Sequence, residues 1–171
     1  DGLFSGEVID NQGERSLLSV VIDITERRRN EAEIRRQQAM IRSLLDSIPD
    51  VIFFKDQKGV YLGCNPPFSE IVGRRPEEVV GLTDYDLFDR ETADFFLEND
   101  RLTLQMLLPR HNDEWISYPD GRRALLDTLK TPYYGPSGEL VGILGVSRDI
   151  TARRQAEDAR HEIEQRLDYA Q

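Results

Sequence analysis

Hydrophobic and polar positions divide the chain into blocks of different period. From Glu26 to Ser47 there is neither proline nor glycine, and Ile34, Ile41 and Ile48 recur every seven residues with Leu44 and Leu45 beside them. That is a helical stripe, and residues of high helix propensity fill the positions between. Thr25 is placed to cap this helix and Pro49 to stop it, giving a rod of roughly 35 Å at the helical rise. The pattern returns in residues 152–171, where Ala156, Ile163 and Ala170 are seven apart with Ala159 between them.

Between these two stretches the period shortens. Val51–Lys55 reads as a strand, Asp56-Gln57-Lys58-Gly59 as its turn and Val60–Cys64 as a second strand. Pro66–Gly73 reads as a short helix closed by glycine. Pro76–Gly81 reads as another, with proline in the first turn, Glu77 and Glu78 against the helix dipole and glycine past the end. A longer amphipathic helix is expected over Glu91–Leu108. Three strands follow, Glu114–Tyr118, Arg123–Thr131 and Leu140–Arg148, separated by turns at Pro119-Asp120-Gly121 and Gly135-Pro136-Ser137-Gly138. Leu125, Leu126 and Leu129 do not alternate cleanly, which leaves the facing of the Arg123–Thr131 strand open.

The chain also repeats part of itself. Val20-Val21-Ile22-Asp23-Ile24-Thr25-Glu26-Arg27-Arg28 is matched by Val146-Ser147-Arg148-Asp149-Ile150-Thr151-Ala152-Arg153-Arg154. Each copy follows a glycine-ended turn and an apolar strand, and each runs into a charged helix. Phe4–Ile9 and Ser16–Ile22 flank a turn at Asn11-Gln12-Gly13, so residues 1–25 are expected to form a hairpin, the end of a preceding repeat.

Composition then excludes several partners. Charged residues make up 32 % of the chain and the net charge is −10, which argues against contact with nucleic acid or an anionic membrane face. One cysteine, Cys64, excludes an internal disulfide and a cysteine-built zinc site. No apolar run approaches the about 18 residues of a membrane span. A cytoplasmic location is the corresponding expectation.

Taken in order, Ile48-Pro49-Asp50, Asn65-Pro66-Pro67-Phe68 with Gly73, Pro76-Glu77-Glu78-Val79-Val80-Gly81, the Asp120-Gly121 turn and Arg148-Asp149-Ile150-Thr151 resemble the PAS family. The resemblance covers roughly Leu44–Arg154 and is that of a PAS module from a bacterial signalling protein such as a sensor histidine kinase or diguanylate cyclase. It implies an α+β fold, a five-stranded antiparallel sheet with helices on one face. It also implies sensing, with signals passed through flanking helices to an output domain. The expected organisation is a hairpin remnant of a preceding PAS repeat at 1–25, a linker helix at 26–48, the PAS domain at 49–151 and a C-terminal linker helix at 152–171.

Known chemistries of that family fit poorly. Aligned on Gly81, the chain carries Asp84 where flavin-binding members place a reactive cysteine, so no flavin photoadduct is expected. Haem-binding members use a histidine on the long helix, and Glu91–Leu108 has none. His161-Glu162 lacks the residues that follow the phosphoacceptor of a histidine kinase. Asp84, Asp86, Asp89, Glu91 and Asp94 lack the glycine and ligand spacing of a calcium loop; Asp89 and Glu91 are read as a helix cap and first-turn acid, with Leu87 and Phe88 packed inward. No catalytic constellation is present, and the module is not expected to be an enzyme.

The expected function is therefore a regulatory module with an unidentified small molecule as its input. Phe53, Asn65, Phe68 and Trp115 are the candidate cavity lining. Asp149, Ile150 and Thr151 are the candidate junction that passes the signal on, and Ile34, Ile41 and Leu44 the candidate seam of a homodimer formed through the linker helices. The rival expectation is a constitutive dimerisation spacer with a filled core and no ligand.

Overall fold

The computed structural model of the chain describes residues 2–11 and 13–169. Asp1 and Gln12 of the expected hairpin, and Ala170 and Gln171 of the expected C-terminal helix, lie outside the described residues. The chain divides into two compact units, residues 1–44 and 45–171.

In the first unit β1 (Gly2–Asn11) and β2 (Glu14–Asp23) form a two-stranded antiparallel hairpin. Helix α1 (Thr25–Ser47) begins there and runs its full sequence-predicted length. Apolar residues lie exposed on both faces of the hairpin, among them Leu3, Phe4, Val8, Val20, Val21 and Ile22.

The second unit opens with β3 (Val51–Asp56) and β4 (Tyr61–Cys64). Their turn is held by Asp56, whose Oδ1 accepts from the amides of Lys58 (2.8 Å) and Val60 (2.9 Å), and by Gly59 at φ 81°. Four helices follow: α2 (Pro66–Val72), α3 (Pro76–Val79), α4 (Asp84–Leu87) and α5 (Arg90–Met106). Three strands complete the sheet, β5 (Arg110–Ser117), β6 (Arg123–Tyr134) and β7 (Leu140–Asp149), before helix α6 (Thr151–Tyr169). The five strands lie in the order β4-β3-β7-β6-β5, every neighbour antiparallel. This is the α+β arrangement expected from the sequence.

Three boundaries differ from expectation for physical reasons. Strand β5 starts at Arg110, four residues early, because Arg110–Asp113 pair with Asp127–Lys130. Strand β6 runs past Thr131 through Pro132. That proline is tolerated because β5 ends its pairing at Lys130, so Pro132 has a partner strand on one side only, as an edge residue does. Helix α4 is a single turn made by acidic residues with no apolar period to announce it, capped reciprocally by Thr83 and Asp86.

The core lies between the sheet and α2–α5. Val51 and Phe53 from β3, Ile116 from β5 and Leu126 from β6 meet Tyr61, Phe68, Ile71 and Phe96. The rings stack through edge and tilted contacts, with Tyr61 and Phe68 centroids 5.2 Å apart and Phe88 and Phe96 at 5.0 Å. The open question of β6 resolves simply. Leu126 faces the core, while Leu129 lies on the opposite face beside Asp127, Val146 and Arg148.

Two glycines of β7 permit this packing. A Cβ on Gly145 would enter the Phe53 ring, and one on Gly142 would fall inside the Lys55 carbonyl, which is backbone and cannot swing away. Gly142→Ala is expected to destabilise the domain by about 1–3 kcal/mol through overpacking. Gly63→Ala, whose Cβ would sit 3.7 Å from Phe54, is expected to change stability by less than about 0.5 kcal/mol. Urea unfolding of the two variants checks the contrast; equal losses would mean the close approach at Gly142 is relieved by a shift of strands.

Candidate functional site

Val51, Phe53 and Lys55 project from β3 in the same phase, so the sheet presents a lysine where a third apolar side chain would be expected. Strand β6 does the same with Leu126, Thr128 and Lys130. Both lysines are 1 % exposed. A buried ammonium is tolerable only if paired and hydrogen-bonded, and the helices supply the partners. Lys55 Nζ donates to Asp84 Oδ2 on α4 at 2.5 Å and to Asp100 Oδ2 on α5 at 2.8 Å. Lys130 Nζ lies 2.6 Å from Asp100 Oδ1 and donates to the Phe96 carbonyl at 3.3 Å. Lys130 approaches Asp100 Oδ1 off the hydrogen-bond axis, so that contact is held by charge.

Tyr61 closes the group by donating its hydroxyl to Asp84 Oδ1 at 2.7 Å. Burial, reinforced by the Asp84 carboxylate, pushes the Tyr61 phenol well above its ordinary range, so it stays a donor. The Lys55 ammonium also lies 4.8 Å from the Tyr61 ring centroid.

Beside this cluster is a small cavity within the core, lined by Phe53, Phe68, Phe88 and Phe96 and by the polar groups of Glu114, Lys130 and Ser147. About 20 Å³ of it is open to the centre of a water-sized sphere, room for about one water. Glu114 accepts from Thr128 Oγ1 at 2.9 Å and from Asn112 Nδ2 at 2.9 Å, and Thr128 Oγ1 is 2.8 Å from Ser147 Oγ. With Thr128 donating to Glu114, Ser147 is the donor to Thr128. Burial pushes the Glu114 carboxyl up, against the opposing pull of Lys130 and of its own hydrogen bonds.

Of the four residues expected to line the cavity, the structure brings Phe53 and Phe68 to it. Asn65 and Trp115 are corrections. Asn65 is buried, but its side chain is used up by backbone: Oδ1 accepts from Ile52 and Phe68, and Nδ2 donates to Asp50 and Leu45. It caps α2 and ties it to β3. Trp115 is half-exposed, because Glu114 and Ile116 take the inward positions of β5; its ring stacks under the Arg123 guanidinium, 5.1 Å from the centroid. Asp84, one of the acidic cluster, is the centre of the buried pairing. Asp86 and Asp89 do cap, through Thr83 and Thr92, and Asp94 accepts from the Tyr85 hydroxyl. Leu87 and Phe88 pack against the core.

The expected junction is built from short contacts. Asp149 Oδ1 accepts from the Thr151 amide at 2.9 Å and hydroxyl at 2.6 Å. Thr151 Oγ1 accepts from the Leu125 amide at 2.9 Å, and the Ile150 amide donates to the Leu125 carbonyl at 2.9 Å. The start of α6 is thus stitched to β6. Alongside, Arg148 pairs with Asp50 at 2.9 Å and Arg154 with Asp113 at 3.2 Å. Ser147, on the cavity wall, is two residues from Asp149 on the same strand. On α1, Ile34, Ile41 and Leu44 are all more than half exposed.

A five-stranded antiparallel sheet with helices over a core cavity and an Asp-Ile-Thr exit into a helix is the arrangement that the resemblance led one to expect. The sequence model of the PAS fold matches residues 45–155, and the chain belongs to that family. It is 32 % identical over 124 residues to the aerobic respiration control sensor protein ArcB of Escherichia coli K12, a match covering 72 % of this chain. The chain spans only 16 % of ArcB's length. The solved PAS domain of Bordetella pertussis BvgS matches with TM-score 0.55 and 27 % identity, over 77 % of this chain and 98 % of that one. A ligand and DNA complex of Vibrio cholerae VqmA matches with TM-score 0.61 and 26 % identity, over 64 % of this chain and 50 % of that one. Among the described residues, no helix is long and apolar enough to cross a membrane.

Two outcomes follow from the buried charges. Lys55→Met is expected to cost about 3–5 kcal/mol of stability by leaving Asp84 without a cation. Lys55→Met with Asp84→Asn should cost less than the sum of the two single changes, because the groups interact directly. Additive losses in urea titrations would mean that each residue acts through packing alone.

The second concerns pH. The carboxyl of Glu114 is raised in the folded state, so the native protein binds its proton more tightly than the unfolded chain. Its contribution to stability is fully present below the ordinary value of 4.5 and is lost as pH rises through the folded value. Relative to the natural chain, Glu114→Gln should therefore become progressively more stable between acid and neutral pH. A stability difference that does not change with pH would show that Glu114 keeps an ordinary affinity for its proton.

Proposed function

We propose that this domain reads a small molecule in the cavity between the sheet and α2–α5, and passes the change through β7 to α6. The observation that carries this reading is the convergence of Glu114, Lys130 and Ser147 on a cavity lined mainly by aromatic and aliphatic side chains. An apolar pocket with a few polar groups fixing orientation is the usual form of a small-molecule site. A spacer would gain nothing from such groups and could fill the space with hydrocarbon. A ligand larger than water would have to displace the Phe68 and Phe88 rings or the Glu114–Thr128–Ser147 chain, and so would favour a different state of the sheet. Only such a difference between states can carry a signal.

Ser147 gives the route, since movement of its segment alters the Asp149–Thr151 contacts that fix the start of α6. A set of discrete hydrogen bonds suits a two-state junction. The exposed stripe of Ile34, Ile41 and Leu44 on α1 fits a homodimer seam, and α6 would lead to an output domain such as a kinase or nucleotide cyclase. VqmA is seen with DNA, but the net charge of −10 weighs against such a contact for this segment. A cytoplasmic setting is part of the same reading.

The small volume of the cavity favours a second reading, a constitutive dimerisation spacer whose core is already filled. Native mass spectrometry of the chain purified from its own host separates the two. The sensory reading expects a non-covalent adduct of small mass that is lost on denaturation and whose addition back changes amide exchange in α6. Repeated isolation of the bare chain, with no exchange response to host metabolite extract, would favour the spacer.

A further inference from the structure

The hairpin and helix of the first unit duplicate the end of the PAS domain, contact by contact. Strands β2 and β7 are both ten residues long and end on an aspartate, Asp23 and Asp149. The Thr25 amide donates to Asp23 Oδ1 at 2.9 Å, as the Thr151 amide donates to Asp149 Oδ1 at 2.9 Å. Helices α1 and α6 both start at that threonine. One turn on, Arg27 pairs with Glu31 at 2.9 Å, and the corresponding Arg153 pairs with Glu157 at 2.9 Å. Sequence, strand length, cap and helix-surface pair all coincide.

The register of the hairpin adds a direction. Val21 lies opposite Phe4 and Leu17 opposite Val8, as Ser147 lies opposite Thr128 and Ile143 opposite Pro132. In the PAS domain Ser147, Thr128 and Ile143 form the inner face of the sheet and are buried. In the hairpin Phe4, Val8, Leu17 and Val21 are 64–70 % exposed. A two-stranded hairpin is marginal by itself in water, and an apolar surface of this extent marks an interface.

We propose that residues 2–23 are the closing hairpin of a second PAS domain, completed by three strands and the helices of polypeptide preceding Asp1. Its interior lies against Phe4, Val8, Leu17 and Val21, and α1 is the connector between two domains of one fold. The occupant of the apolar face is thus the remainder of a domain whose last two strands are already present, and not an unrelated partner.

Hydrogen exchange tests this in two lengths, the 171 residues alone and the same residues with the natural polypeptide ahead of Asp1, of which about 100 residues would make one domain. Residues 2–23 are expected to exchange rapidly in the shorter chain and at least roughly a hundredfold more slowly in the longer one, in line with protection by a folded domain. Val21→Asp in the longer chain should abolish protection upstream of Thr25 and leave β3–β7 unchanged, whereas Ser5→Asp, on the other face, should not. Three results would overturn the proposal. One is slow exchange of residues 2–23 in a dilute 171-residue chain, which means a hairpin stable alone. Another is protection in that chain that rises with concentration, which means cover by a second copy. The third is a natural chain too short upstream, or one that leaves residues 2–23 unprotected.

Discussion

Two lysines inside a small sheet set the terms for the rest of the second unit. Neither Lys55 nor Lys130 could stay there without a carboxylate, and the carboxylates come from the helical side, Asp84 from α4 and Asp100 from α5. Apolar burial between sheet and helices is non-directional and would by itself tolerate sliding. The charges sit at fixed positions along the strands, and they specify which turn of α5 lies over β3 and β6. Asp100 answers to both lysines, so it fixes the spacing of two strands as well as the helix above them. A paired buried charge is weak support for stability in general; here its consequence is registry.

That same requirement places polar chemistry beside the cavity. A core built on hydrocarbon alone would present no hydrogen-bonding group there. Glu114, Thr128 and Ser147 extend the polar line from the lysines across β5, β6 and β7, so a cavity otherwise bounded mainly by apolar side chains has its hydrogen-bonding groups on the sheet side. The strand carrying Ser147 is also the one that ends at the α6 junction, so the cavity wall and the start of the helix share one element.

Much of the fold was legible because local signals were strong: glycine-ended turns, proline at helix starts, and the switch from a period of two to a longer one. The core chemistry was hidden by its own composition. On β6 the inward positions after Leu126 are Thr128 and Lys130, so the hydrophobic alternation broke off where the buried polar groups began. Lys55 stood in phase with Val51 and Phe53, and Asp100 in phase with Ala93, Phe96 and Thr103 on the buried stripe of α5. A charge on each of two buried faces was the signal available for the pairing. Asp84 was obscured by acidic neighbours that do cap helices. Trp115 was misplaced by its size, although its neighbours Glu114 and Ile116 take the inward phase. Asn65 was misplaced by its burial, which serves backbone amides and carbonyls.

The Asp50–Arg148 pair joins the point where the chain enters the sheet to the point where it leaves. Strand β3 begins there and β7 ends there, side by side and antiparallel, with Val51 opposite Ser147. A pull applied between the incoming and outgoing chain would load these pairs one after another from that end, as a zipper is opened, and would not shear the whole ladder at once. The ion pair at the mouth is the first element to bear tension and the first to yield. The first pair behind it is Val51 with Ser147, both of which line the cavity, so separation from that end would open the sheet at the cavity wall.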